Sequence, residues 1–250
     1  IVGTPHVWIS DIKYRTKIKS TVNADLTADI SISSTDVKNL IKKLVTKDSI
    51  NIKTKDKLNI NISMELKKRG TNEIISSTNS KTLTIESDRT IIEGLTINCQ
   101  GINLWSPEFP EMYDLIVKIK RNDFIIDDYK VEIGFRNIVT AENAGKPALL
   151  LNGQVIKLKG ISYIEDYFGN GQTLSEHQLR QDIAQIKKLG ANVIETKFSS
   201  PHPLLVHFCN VNGIMLMIDL PLYNVPSKIA NYDEIKIYLQ NLAKQNIFKY

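Results

Sequence analysis

The chain has 250 residues, 42% of them hydrophobic and 24% charged, with a net charge of +5 and a pI of about 9.0. This is the composition of a globular protein of one or two domains, and no window of 18 apolar residues is present, which excludes a membrane-spanning helix. The lysines between Lys38 and Arg69 alternate with Ile, Asn and Ser, without the aromatic residues or reading helix of a nucleic-acid surface, so we interpret them as solvated faces of strands.

The first 140 residues carry the period-two pattern of β-strands. Apolar residues alternate with polar ones over residues 24–32, 58–66, 115–119 and 131–135. Successive side chains of a strand point to opposite faces, so each run is half buried. Several such strands with turns between them predict a two-sheet sandwich. One interruption has apolar residues at helical spacing behind a possible cap at Thr35, which predicts a short helix over residues 36–45.

Two aromatic residues flank a proline-containing segment before the later strands. Trp105 and Tyr113 enclose Pro107 and Pro110, which prevent regular strand pairing there. The two rings are either core anchors for an ordered loop, which we favour, or a sugar-stacking pair. The two cysteines, Cys99 and Cys209, each lie in an apolar run, and we expect buried free thiols rather than a disulfide.

After residue 150 the pattern changes to short apolar strands that alternate with helices. Strands are predicted over 156–162, 191–198 and 214–219, the last apolar throughout because both of its faces should be covered. A capping box over residues 173–176 starts the first helix, Pro203 opens the second, and Asn231 with Glu234 caps the third. The expected buried stripes are Leu179, Ile183, Ile186 and Leu189; Leu204, Leu205 and Phe208; and Ile235, Tyr238, Leu239 and Leu242. These segments predict three consecutive βα units of a parallel α/β domain.

Acidic residues stand at the carboxyl ends of these strands. Glu165 and Asp166 follow the first, Glu195 lies near the end of the second, and Asp219 ends the third. In a (β/α) barrel this end carries the active site, and paired carboxyl groups suit glycosidic hydrolysis. Acids in these positions also cap helices, so both interpretations remain open. We expect clustered carboxylates to raise one another's pKa, and Lys197, on the same side of its strand as Glu195, to neutralise the site.

Several motifs follow one another in an order that resembles a known family. They are Thr4 to Ile12; Trp105-Ser106-Pro107-Glu108 with Pro110 and Tyr113; Val131 to Arg136; Leu151-Asn152-Gly153 through Gly160; Asp182 with Lys187, Asn192 and Val193; and Phe208-Cys209 with Gly213-Ile214. This order resembles glycoside hydrolase family 2, the family of β-galactosidases, β-glucuronidases and β-mannosidases.

The resemblance implies an immunoglobulin-like β-sandwich at 1–140, a linker at 141–150, and the first three βα units of an incomplete TIM barrel at 151–250. It implies a β-galactosidase-like parent protein that hydrolyses terminal β-glycosidic bonds with retention. The expected partners are a β-glycoside substrate, the remainder of the parent chain and, as a possibility left open, a second copy, without nucleic acid, cofactor or metal. The family's acid/base and nucleophile match no position here, so no catalytic residue is expected within this chain. The substrate-binding candidates are Glu165, Asp166, Glu195, Lys197 and Asp219.

Some positions depart from the family pattern. Where the family has an Arg on the second barrel strand, this chain has Glu195, and its His-Tyr-Pro run is replaced by residues 198–201. Asp219 with Pro221 takes the place of Glu-x-Pro. These changes leave a second hypothesis open, a non-catalytic homologue that acts as a carbohydrate-binding or structural module. The chain begins without Met or a signal peptide, and we interpret it as an internal segment whose compartment is open.

Overall fold

The computed structural model describes residues 5–38, 57–86, 88, 90–169, 171–173, 175–197, 200–219 and 232–249. The chain divides into two compact units. The first, the sandwich unit, comprises Ile1–Asn103 and Tyr113–Phe135, and the second, the α/β unit, comprises Leu104–Met112 and Arg136–Tyr250. Each described helix is too short or too polar to cross a membrane.

The sandwich unit is built from antiparallel strands. They are β1 (Val7–Ile18), β2 (Asn23–Ser34), β3 (Leu58–Lys68), β4 (Ile74–Ser77), β5 (Lys81–Ile85), β6 (Thr90–Gln100), β7 (Tyr113–Arg121) and β8 (Phe124–Ile133). One sheet has the order β1-β2-β6, and the other has the order β4-β3-β7-β8 with β5 paired to β3.

The core of this unit lies between the inner faces of its two sheets. Every second residue of β2, of β3 and of β7 from Leu115 onward to Ile119 is buried, and most of the residues between them are half-exposed. The four predicted alternating runs are confirmed as parts of β2, β3, β7 and β8, with Phe135 fully buried just beyond the last strand. The two-sheet sandwich predicted from these runs is therefore present, as is the immunoglobulin-like sandwich that the resemblance implies. Residues 39–45 of the predicted short helix lie outside the described residues.

The α/β unit begins with a hairpin and continues with a parallel sheet. Its strands and helices are β9 (Ile138–Asn143), β10 (Lys146–Leu151), β11 (Gln154–Val155), β12 (Gly160–Tyr163), α1 (Glu176–Lys188), β13 (Val193–Thr196), α2 (Pro203–Val211), β14 (Met215–Ile218) and α3 (Asp233–Lys249). The hairpin sheet has the order β11-β10-β9, and it contains residues 141–150 that we expected as a linker. The parallel sheet has the order β12-β13-β14, the start of a TIM barrel.

Several predicted details of this unit are wrong. The first barrel strand was predicted over residues 156–162, but β12 begins only at Gly160 and residues 156–159 belong to no strand. Ser175 is the N-cap of α1, in a reciprocal capping box with Gln178, so the box lies two residues later than predicted.

Two apolar residues assigned to buried stripes are exposed. Leu189 is 77% exposed because, at 100° per residue, it lies roughly 80° away from Leu179 around the axis of α1. Tyr238 is also exposed on α3, whereas Ile235, Leu239 and Leu242 are half-buried. The predicted cap Asn231 lies outside the described residues.

Candidate functional site

The two faces of the β12-β13-β14 sheet have different surroundings within the α/β unit. Strand register aligns Ser162 with Glu195 and Met217, and aligns Gly160 with Val193 and Met215. These residues share one face, because side chains alternate along a strand. The residues between them form the opposite face, where Ile161, Ile194 and Leu216 pack with the buried residues of α1 and α2.

The lower part of the first face is closed by an apolar plug. Trp105 packs there with Met112, Leu151, Val193 and Met215. Its indole Nε1 donates to the Asn210 carbonyl at 2.7 Å, and the Arg136 guanidinium lies over its ring, 4.6 Å from the centroid. This face therefore has a packed floor at the amino ends of its strands.

The sugar-stacking interpretation of the two aromatic residues is wrong. Trp105 is fully buried in the α/β unit, and its indole edge is already bonded. Tyr113 is 2% exposed in the sandwich unit, where its hydroxyl accepts from the Asn103 N–H at 2.7 Å and its ring packs against Phe135. Both residues are core anchors, as the favoured interpretation states.

A cleft of about 290 Å³ opens above this floor. Gly160, Ser162, Glu195 and Met217 belong to its lining, with Glu195 as the charged member. Met217 is 52% exposed, so the prediction that both faces of the third barrel strand are covered is wrong at this end. The cleft thus combines an apolar side chain with polar oxygen atoms, which is a suitable surface for a polar ligand.

Three of the five predicted site residues meet at the edge of this cleft. The Lys197 Nζ lies 2.6 Å from Glu195 Oε1 and 3.7 Å from Asp219 Oδ2. The Ser162 hydroxyl donates to the other Glu195 oxygen at 2.8 Å. The pairing of Glu195 with Lys197 follows from their i, i+2 spacing, which places both side chains on one side of the chain. We call these four residues the charged rim.

The pKa of Glu195 moves in the direction opposite to our expectation. Hydrogen bonds from Lys197 and Ser162 lower the pKa of Glu195, and the Glu195 carboxylate raises the pKa of Lys197. These donors outweigh the desolvation that would raise the pKa of Glu195, so mutual raising of carboxyl pKa values is wrong for Glu195. Glu195 and Lys197 therefore form an ion pair at neutral pH.

Glu165 occupies a different environment. It is 9% exposed, and its carboxylate oxygens accept from the His202 N–H at 3.1 and 3.0 Å. His202 is the N-cap of α2, so Glu165 caps the start of that helix. Burial raises the pKa of Glu165, and the His202 N–H opposes this rise. Glu165 thus fits the helix-cap alternative, while Asp166 is exposed and makes no side-chain hydrogen bond or ion pair with another described residue.

A second polar cluster holds the loop after β12 and was not predicted. The hydroxyls of Tyr163 and Tyr167 both donate to Asp182 Oδ2 on α1, the former at 2.6 Å. This shared acceptor raises the pKa of Tyr167 to about 12. In the sequence Asp182 was singled out only as part of a motif, because its spacing to Tyr163 and Tyr167 does not indicate a contact.

The burial of both cysteines agrees with the sequence prediction. Cys99 lies in the sandwich unit and Cys209 in α2, and both are free and buried. Burial raises the pKa of Cys99 to about 11 and that of Cys209 to about 12. At neutral pH both are thiols, which are poor nucleophiles.

Comparison with known families accounts for both units. Residues 7–136, more than half of the chain, match the family described as glycosyl hydrolases family 2, and residues 144–244 match the TIM barrel domain of the same family. The chain belongs to glycoside hydrolase family 2. Its family 2 sandwich and family 2 barrel segments follow one another in the order that the motifs predicted.

This family 2 chain spans less than half the length of each of the following similar proteins. A predicted β-glucuronidase from Formosa agariphila is 29% identical over 124 residues, which are 50% of this chain and 15% of the relative. The structure of β-glucuronidase 2 from Bacteroides uniformis aligns with a TM-score of 0.78 and 18% identity, covering 98% of this chain and 27% of that one. A family 2 β-galacturonidase from Eisenbergiella tayi aligns with a TM-score of 0.78 and 19% identity, covering 98% and 39%. The structural alignments establish the shared fold.

Two glycines of the family 2 motifs lie where a side chain would overlap with neighbouring atoms. A Cβ at Gly160 would lie 2.7 Å from Val193 Cγ1, below the cleft. Gly213 has φ +68°, and a Cβ there would lie 2.2 Å from the Pro107 carbonyl oxygen. Asn152 links two other motif segments, since its amide donates to the Trp105 carbonyl at 3.0 Å and its Oδ1 accepts from the Asn137 N–H at 2.9 Å. These motif residues therefore build the floor of the barrel segment.

Proposed function

We propose that this chain is the sandwich and the first part of the barrel of a retaining β-glycosidase that removes terminal sugars. The observation that carries the proposal is the match of both units, in order, to glycoside hydrolase family 2. A retaining glycosidase uses one carboxylic acid to protonate the leaving oxygen and a second carboxylate as the nucleophile. We assign neither role to a residue of this chain.

In the proposed reaction, this chain contributes residues that bind the substrate. Glu195 and Asp219 offer carboxylate oxygens to sugar hydroxyls, and Met217 offers an apolar surface to the ring. Lys197 fixes both carboxylates, so they are oriented before a sugar enters. Asp166, in the loop after β12, stays a candidate for substrate binding. Glu165 has a structural role, because it accepts a hydrogen bond from the His202 N–H.

The assay compares the 250-residue chain with the full-length protein on 4-nitrophenyl β-galactoside, β-glucoside and β-glucuronide. We expect the full-length protein to release 4-nitrophenol and the 250-residue chain to release none. Proton NMR of the first sugar product should show the β-anomer, as retention requires. Turnover by the 250-residue chain that persists through repurification and disappears in Asp219→Ala would place catalysis here and contradict the proposal.

The second candidate is a carbohydrate-binding homologue without catalysis. The observation that favours it is Glu195, which stands where the resemblance leads us to expect an Arg that helps to hold the sugar. This candidate predicts that the full-length protein binds a sugar but hydrolyses none of the three glycosides. The same assay, combined with calorimetric binding, therefore separates the two candidates.

A further inference from the structure

The charge of the cleft indicates a class of sugar. Two carboxylates, Glu195 and Asp219, share a single ammonium group, that of Lys197. The three side chains together carry one net negative charge when ionised. The described residues that line the cleft add no cation to this balance.

The geometry keeps Lys197 occupied by the protein. Its ammonium group is 2.6 Å from Glu195, and Glu195 is held in place from its other oxygen by the Ser162 hydroxyl. A substrate carboxylate could bind Lys197 only by displacing Glu195 or by lying close to two carboxylates of the same charge. Like charges a few ångströms apart repel one another even where water screens them.

Neutral sugars carry no charge that these carboxylates would repel. Sugar hydroxyls are donors, and ionised carboxylates are the acceptors that form the strongest hydrogen bonds with them. The exposed part of Met217 lies beside these acceptors and can cover the C–H face of a pyranose ring.

We propose that the charged rim makes this cleft selective for neutral sugars and against uronic acids, with Glu195 as the specificity-determining residue. This inference rests on the proposed function, because it takes the cleft as part of the sugar site. A carboxylate near one uncompensated charge in a partly screened site is disfavoured by about tenfold in affinity. Glu195→Gln removes that charge and keeps the size of the side chain.

The experiment is isothermal calorimetry on the full-length protein with galactose, glucose and glucuronate. We expect the wild type to bind a neutral sugar about tenfold more tightly than glucuronate, and Glu195→Gln to reduce this ratio to near one. The matched control is Glu176→Gln, which removes the same charge from an exposed ion pair with Arg180 on α1 and should leave the ratio unchanged. Thermal melting of each variant checks that it is folded.

The outcomes separate this inference from the proposed function. A preference for glucuronate that Lys197→Ala weakens would overturn the inference, as would an unchanged ratio in Glu195→Gln or binding of none of the three sugars. Hydrolysis of the β-glucuronide in preference to neutral glycosides would also overturn it while supporting glycosidase activity. Tighter binding of a neutral sugar without hydrolysis of any glycoside would support the inference and contradict the proposed enzyme.

Discussion

At the scale of single residues, the acids at the strand ends serve different purposes. Glu195 and Asp219 lie on the cleft side of the sheet and are paired with Lys197. Glu165 accepts the backbone N–H of the α2 N-cap, and its charge contributes to the raised pKa of Cys209. Position at a strand end therefore does not decide whether an acid lies on the cleft side of the sheet or contacts a helix.

The raised pKa of Glu165 predicts a pH-dependent stability difference. A carboxyl whose pKa is above its ordinary value of 4.5 in the folded state stabilises the fold when protonated, and this contribution is lost as pH rises through the raised pKa. Glu165→Gln does not titrate and keeps an oxygen acceptor for His202. The melting temperature of Glu165→Gln minus that of the wild type should therefore increase as pH rises from about 4 to about 7.

Differential scanning fluorimetry at matched ionic strength measures this difference. Glu176→Gln is the control, because it removes an acid that is exposed on α1. If the difference for Glu165→Gln decreased with pH, the carboxylate would be favoured by its contact with His202 more than it is penalised by burial.

At the scale of elements, two glycines end helices with the same backbone conformation but different surroundings. Gly190 follows α1 with φ +76° and has open space where a Cβ would lie. Gly213 follows α2 with φ +68° and lies against the Pro107 carbonyl. Gly213 thus lets the turn between α2 and β14 pack on the segment that carries Trp105.

Alanine at these two positions should separate backbone strain from steric overlap. Gly190→Ala should destabilise by about 1–2 kcal/mol, the penalty of a left-handed conformation for a residue with a Cβ. Gly213→Ala should destabilise by more than this, because the chain must also move away from Pro107. Urea unfolding of both variants measures the difference, and equal destabilisation would show that the contact with Pro107 is relieved without strain.

At the scale of the whole molecule, the two units differ in how their sheets are covered. In the sandwich unit, two sheets cover each other's inner faces. In the α/β unit, the described residues include a three-stranded parallel sheet in which β12 and β14 each pair on one side only. Unpaired strand edges and exposed apolar side chains such as Met217 leave this sheet less protected.

Amide hydrogen exchange on the 250-residue chain tests this difference. We expect the amides of β12 and β14 to exchange faster than those of β2, β3 and β7, or the chain to self-associate through the parallel sheet. Light scattering on the same sample detects association. Equal protection of the two groups in a strict monomer would show that the parallel sheet is stable without further strands, and would contradict the prediction.

The sequence by itself determined the family, four alternating strands of the sandwich and the succession of strands and helices in the barrel segment. Alternation over residues 24–32 and 58–66 predicted strands because a half-buried strand needs an apolar residue at every second position. The same rule of alternation predicted that Glu195 and Lys197 would meet. These are local features, in which neighbours in sequence are neighbours in space.

The tertiary structure alone decided which acids face the cleft and what closes its floor. Asp219 reaches Lys197 from another strand, Glu165 turns to the start of α2, and Trp105 bonds to Asn210, more than 100 residues away along the chain. Such contacts depend on how strands and helices pack across the chain, which no local period of the sequence encodes.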